Sequence, residues 1–245
     1  LLVLDLNNDS LNEIESWFSR LSSMKIVVDE DLRFWMTTDE KTSSLSDIPP
    51  LPPPIKSVDV SDPLPEKWSA KDIGGSLSGG QKINKDTWSI YGGGKDIWTT
   101  SDQFRFVYTE VQGDFLCTVS VDELLNIHSY AKAGLMARNS LADHSSHALI
   151  NVFPYGNTEF GYRSSDGETM SAISGLTLSI PAAKLKLERK GNTLTGMVYI
   201  NDRWTESGSV TIPGLNKSIF LGLATLSHDN SQLTKAVYSG LQISN

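Results

Sequence analysis

The chain has 245 residues, 39% apolar and 20% charged, with a formal net charge of −8 and a pI near 5.0. That length allows one large domain with a substantial core, plus an appendage. The acidic balance argues against nucleic-acid or anionic-membrane partners, which need a surplus of Lys and Arg on one face.

The chain opens "LLVLDLNNDS", without the basic start and small-residue cleavage site of a signal peptide. It is expected to be a piece of a longer chain that carries other domains. "LLVLDL" reads as a short strand. In "DSLNEIESWFSRLSS" the residues Leu11, Ile14, Trp17, Phe18 and Leu21 share a helical face, and Ser10 with Glu13 forms a capping box. "KIVVD" and "LRFWMTT" read as strands. Residues 1–38 are therefore a small β-α-β-β segment, possible as the tail of a preceding domain.

Residues 39–66 hold seven of the ten prolines. Proline fixes φ and removes a donor, so this stretch reads as an extended linker. After it comes "LSGGQ" (residues 77–81), five residues that contact nucleotide in ABC-type ATPases. Such an ATPase also needs G-x-x-x-x-G-K-[ST] after a strand, and that string is absent from the sequence. The glycines are expected to serve a tight loop.

From residue 67 short strand-like runs alternate with turn signals: 87–92, 102–111, 114–121, 130–138, 147–154, 159–164, 176–180, 183–191, 193–201, 203–212, 219–227 and 235–244. Phe104, Phe106 and Tyr108 share one face, opposite Arg105 and Val107. Leu185 and Leu187 alternate with Lys184, Lys186 and Glu188. Antiparallel sheets with one wet side look like this. The fold class is mostly β: a two-sheet antiparallel jelly-roll sandwich over 67–245. The lone cysteine, Cys117, excludes an intrachain disulfide and reads as a small buried apolar group. No apolar run approaches the ~20 residues that span a bilayer.

The runs "WSIYGGGKDIWTTSDQFRFVYTEVQGDFLCTVSV", "AKAGLMARNSLADHSSHALINVFP", "LKLERKGNTLTGMVYINDRWTESGSVTIP" and "FLGLATLSHDNSQLTKAVYSGLQIS" resemble a known family in order and spacing. It is the concanavalin A-like, laminin-G-like jelly-roll domain of the bacterial "regulation of enolase" family of unknown function. The resemblance implies a module of a secreted or surface protein, extracellular or at the cell surface, related to lectins, carbohydrate-binding modules and some glycoside hydrolases. It transfers no catalytic residues.

Glycosidases of this general fold carry E-x-D-x-x-E or E-x-D-x-E on a strand, and neither string occurs. No catalytic residue is assigned. The expected function is non-catalytic binding of a polysaccharide or oligosaccharide, with a glycoside hydrolase or a protein-interaction module as alternatives. Sugar recognition needs a flat aromatic face and planar polar partners. The candidates are Trp98, Tyr155, Tyr162 and Trp204, with Asp102, Arg138, Asn139, His147 and Arg163 beside them; Arg138 and Arg163 are expected to share a rim. No cofactor is required. Calcium, which such folds hold at loops, has Asp72, Asp96 and Asp229 as candidate ligands.

Overall fold

A computed structural model of the chain describes the backbone of residues 25–28 and 34–37, and residues 54–59 and 61–244. It divides into two compact units, Leu1–Pro53 and Pro54–Asn245. In the first, β1 (Lys25–Val28) pairs antiparallel with β2 (Phe34–Thr37), within the two strands read from the sequence. The expected strand over 1–6 and the helix over 9–23 lie outside the described residues.

The second unit is a sandwich of two seven-stranded antiparallel sheets. The first sheet takes β3 (Trp68–Ile73), β8 (Phe104–Gln112), β10 (Lys132–Arg138), β11 (His147–Val152), β12 (Asn157–Arg163), β13 (Ser171–Thr177) and β17 (Ser218–Leu226). The second takes β4 (Gly80–Asn84), β5 (Thr87–Gly92), β9 (Phe115–Leu124), β14 (Ala183–Lys190), β15 (Thr193–Ile200), β16 (Arg203–Thr211) and β18 (Thr234–Ser244). Two short strands, β6 (Ile97–Trp98) and β7 (Ser101–Asp102), form a separate ladder. No helix among the described residues is long and apolar enough to cross a membrane.

The C-terminal strands complete both layers. β17 inserts between β10 and β8, and β18 between β9 and β5. Between the sheets lie Val107, Leu135, Ile150, Phe160 and Leu221 from the first, and Ile90, Val119, Leu185, Leu187 and Val198 from the second. Cys117 belongs to this core, where burial pushes its thiol up to about 12.

The alternation expected of β14 is observed, with Leu185 and Leu187 buried and Lys184 exposed. The first sheet is different. In β8 both Phe104 and Val107 are fully buried, and Arg105 nearly so. Neither face is wet there, because a second apolar cluster covers the outer one, with Ile97 and Met170 packed on Phe104, Phe106, Met136 and Leu149. Loops supply the cover.

Residues 54–66, expected as spacer, belong to the sandwich unit. Ile55 bridges Leu233. Asp62 donates its backbone N–H to Gln81 O at 2.9 Å and accepts the Ile83 N–H at 2.8 Å. The segment thereby covers the free edge of β4, where an open ladder would invite another chain. "LSGGQ" ends in that strand. A Cβ on Gly79 would stand 2.2 Å from Tyr91 O, and Gln81 Oε1 accepts from Arg105 Nη2 at 2.6 Å. Close backbone packing accounts for the motif.

Candidate functional site

Four of the expected polar residues meet. Register aligns Arg138, His147 and Arg163 in one row across β10, β11 and β12, and Asp102 comes down on them from β7. Arg163 donates twice to Asp102, Nη2 to Oδ1 at 2.8 Å and Nη1 to Oδ2 at 3.0 Å. Arg138 Nη2 lies 3.4 Å from Asp102 Oδ2, and His147 Nδ1 lies 3.6 Å from it.

The row is not an open rim. These four residues are between 0% and 2% exposed. Most of the remaining guanidinium donors go to backbone carbonyls of the covering loops, while Arg138 Nη1 points to Met136 Sδ and His147 Nε2 has no partner. Arg163 reaches Trp98, Thr99, Ser145 and Glu168, and Arg138 reaches Ser140 and Ala142. Burial brings His147 down to about 4, partly opposed by Asp102 and reinforced by both arginines. It brings Arg138 to about 10, with Asp102 opposing. The imidazole is thus neutral near pH 7, leaving two guanidiniums, one carboxylate and a shell of carbonyl dipoles. Chemically this is a clamp that ties three loops to the sheet, and no ligand touches it while they stay closed.

The same strand faces continue to an end where two rings, Trp98 and Tyr130, are exposed above Lys132 and Asn151, which are themselves buried. A strand turns every second residue to one side, so Lys132 and Gly134 share the face of Arg138. Asn151 likewise follows His147, and Glu159 precedes Arg163. Gly134, Asn151 and Glu159 form one row. A Cβ on Gly134 would meet Ile150 O at 2.1 Å and Asn151 Cβ at 2.9 Å, so only glycine fits beside Asn151.

Lys132 Nζ lies 2.9 Å from Asp96 Oδ1 and 3.4 Å from Glu159 Oε1. Its ammonium also stands 5.4 Å from the Trp98 ring centroid and 5.8 Å from that of Phe153. Tyr130 packs edge-on against Phe153 at 6.0 Å and lies 5.5 Å from His228, which is 4.3 Å from His128. His228 Nδ1 stands 3.7 Å from Asp96 Oδ2, and burial holds its imidazole below the usual range. Trp98 and Tyr130 are 38% and 44% exposed.

Seven buried side-chain atoms among the described residues have no hydrogen-bond partner, and four belong to this centre: both polar atoms of Asn151, Glu159 Oε1 and His228 Nδ1. Buried polar atoms are ordinarily paired. Four such atoms stand near the two exposed rings, Glu159 Oε1 and His228 Nδ1 being held only by the longer ion-pair contacts to Lys132 and Asp96.

The other expected residues scatter. Tyr155 lies in the turn that carries Phe153, with its hydroxyl bonded to Asn126 at 2.8 Å. Tyr162 precedes Arg163 on the strand, faces the opposite way, and packs against the inter-sheet core. Trp204 stands on the second sheet, paired across strands with Tyr199. Asn139 ties Ser146 to Gly214.

The expected calcium ligands are engaged elsewhere. Asp72 pairs with Arg105 at 2.9 Å, Asp96 with Lys132, and Asp229 accepts from Ser231 and Gln232 in its own turn. No group of three or more His, Cys, Asp or Glu among the described residues could hold a metal.

No protein-family model matches the chain, and no curated protein does. Solved structures do. A functionally unknown protein from Saccharomyces cerevisiae is 14% identical at a TM-score of 0.57, over 73% of this chain and 96% of that one. The GH43 protein BlXynB from Bacillus licheniformis is 12% identical at 0.54, over 89% of this chain and 45% of that one. A Bacteroides ovatus xyloglucan PUL GH43B protein is 12% identical at 0.53, over 89% and 46%. The shared feature is the fold, a two-sheet antiparallel β-sandwich. The chain spans just under half the length of the two GH43 proteins. At such identities the likeness extends to the fold alone.

Proposed function

We propose that the chain is a non-catalytic carbohydrate-binding module whose sugar rests between Trp98 and Tyr130, over Lys132, Asn151 and Glu159. What carries the reading is the pairing of two exposed aromatic rings with the buried Asn151 amide, neither of whose polar atoms has a hydrogen-bond partner. A pyranose offers a flat C–H side and a belt of hydroxyls. Aromatic faces take the first, and a planar amide, a carboxylate and an ammonium take the second. The likeness to a xyloglucan PUL GH43B protein makes xyloglucan the first polysaccharide to try. In the same proposal residues 67–245 are a "regulation of enolase" type domain of a secreted or surface protein, joined to other domains. Calcium plays no part in this reading, because Asp72, Asp96 and Asp229 already serve neighbouring donors.

Two observations favour other readings. Asp96 and Glu159 both reach one ammonium, which brings two carboxylates together as a hydrolase requires. The lysine between them opposes the proton-donor role, so the binding reading is preferred. Ile173 and Leu176 are exposed on the edge strand β13, as an interaction module would present them.

The test is calorimetric titration of the full chain with xyloglucan oligosaccharides, with and without EDTA, alongside an assay for reducing ends. Trp98→Ala and Tyr130→Ala should each weaken binding about tenfold, or about 1.4 kcal/mol, with no sugar released and no effect of EDTA. Wild-type affinity in both folded variants removes this site, and release of reducing sugar moves the protein to the hydrolase class.

A further inference from the structure

The outer face of the second sheet carries a groove of about 590 Å³, lined by Leu116, Thr118, Lys186, Trp204, Gln242 and Ser244 among others. That volume lies within the range of small-ligand sites. Cross-strand register builds it. Thr118 pairs with Lys186 and with Gln242, and Tyr199 pairs with Trp204. The two rings meet edge to face at 5.3 Å. Lys186 Nζ stands 4.2 Å from the Trp204 centroid and Lys184 Nζ 5.1 Å from that of Tyr199.

Neither of these two ammonium groups has a close counter-ion. Among the described residues neither has a carboxylate within 4.0 Å, and Glu188 on the same face pairs instead with Lys190 at 3.1 Å. Glu206 shares the row of Lys186 but stands two strands away across Met197, about 10 Å by strand spacing. Partial burial beside the rings lowers the Lys186 ammonium from its ordinary value, with Glu188 opposing. The groove thus offers the Lys186 ammonium, the Trp204 ring and the hydroxyl and amide groups of Thr118, Gln242 and Ser244, with Lys184 and Tyr199 in the row beside it.

We propose that this groove is a second binding site, distinct from the Trp98 centre, and that it takes an acidic oligosaccharide of the uronic acid class. A uronate supplies a ring for Trp204, hydroxyls for the polar lining, and a carboxylate for Lys186, with Tyr199 and Lys184 extending the surface for the next sugar of the chain. Charge alone would suit any anion, but the aromatic pair adds a requirement for a ring with an apolar face.

The experiment titrates the full chain with tetragalacturonate, with neutral cellotetraose and with inorganic tripolyphosphate. Tetragalacturonate should bind and weaken as salt rises. Trp204→Ala should weaken it about fivefold to tenfold, and Lys184→Met with Lys186→Met by at least as much. Trp98→Ala should leave it unchanged, which keeps a failure here separate from a failure at the first site. The proposal is overturned if tetragalacturonate does not bind, if the folded lysine double variant binds it normally, or if tripolyphosphate binds equally well.

Discussion

Replacing Asp102 by Asn isolates the energetic weight of the buried row. The carboxylate holds Arg163 through two hydrogen bonds of 2.8 and 3.0 Å and faces Arg138 at 3.4 Å, with no exposed side-chain surface on any of the three. The amide keeps the shape but removes the one carboxylate paired with both guanidiniums, which remain buried with carbonyl dipoles and the weaker fields of Asp143 and Asp166 as compensation. Removing one member of a buried pair costs about 3–5 kcal/mol, a large share of the roughly 5–15 kcal/mol that holds a domain folded. With a urea slope of about 2 kcal/mol per molar, the midpoint should fall by roughly 2 M. Hydrogen exchange should also show residues 98–99 and 140–146 opening, since their carbonyls are tied to the same arginines. Adding Arg163→Met should cost less than the sum of the single changes, because the pair is then removed together. A loss under about 1 kcal/mol for Asp102→Asn, with the loops still protected, refutes the clamp.

His147 predicts a pH dependence. Its imidazole titrates near 6.5 when unfolded and near 4 when folded, because burial resists the charged form. Between those values the unfolded chain binds the extra proton, so stability should fall on acidification through that window, by about 3 kcal/mol in total, and level off below it. His147→Gln should flatten the slope measured by urea unfolding at a series of pH values; an unchanged slope places the effect elsewhere. Gly79→Ala should destabilise by about 2 kcal/mol or more in the same assay, since its Cβ would stand 2.2 Å from Tyr91 O; a neutral result would show that the backbone yields there. Cys117 should resist thiol reagents in the native state and react only after denaturation, given its burial and raised titration point.

The sandwich is legible wherever one strand face is wet. β5 and β14 stand within a residue of their sequence-read limits, because polar and apolar residues alternate along them. β3 and β4 are hidden, the first by charged and small residues and the second by glycines that read as loop. β13 is exposed along nearly its whole length, so no apolar rhythm marks it, and it shares only Leu176 and Thr177 with the apolar run "LTLSI". Asp102, Arg138, His147 and Arg163 are legible as a group, but their depth is not. Loops distant in sequence cover them, and a single strand's pattern does not record what packs on top. Stepping by twos from Arg138, His147 and Arg163 leads to Lys132, Asn151 and Glu159, so the residues beneath the exposed rings are within reach of the same periodicity. Tyr130, His128 and His228 arrive from loops and carry no such signal.

The central claim is that a sugar meets this protein at the Lys132 end of the first sheet. Mapping NMR shifts of the full chain during titration with a xyloglucan oligosaccharide tests it most directly. The indole N–H of Trp98, the side-chain amide of Asn151 and the backbone amides around Tyr130 should move together and saturate. Saturable shifts confined to other parts of the sandwich, with these three silent, contradict it.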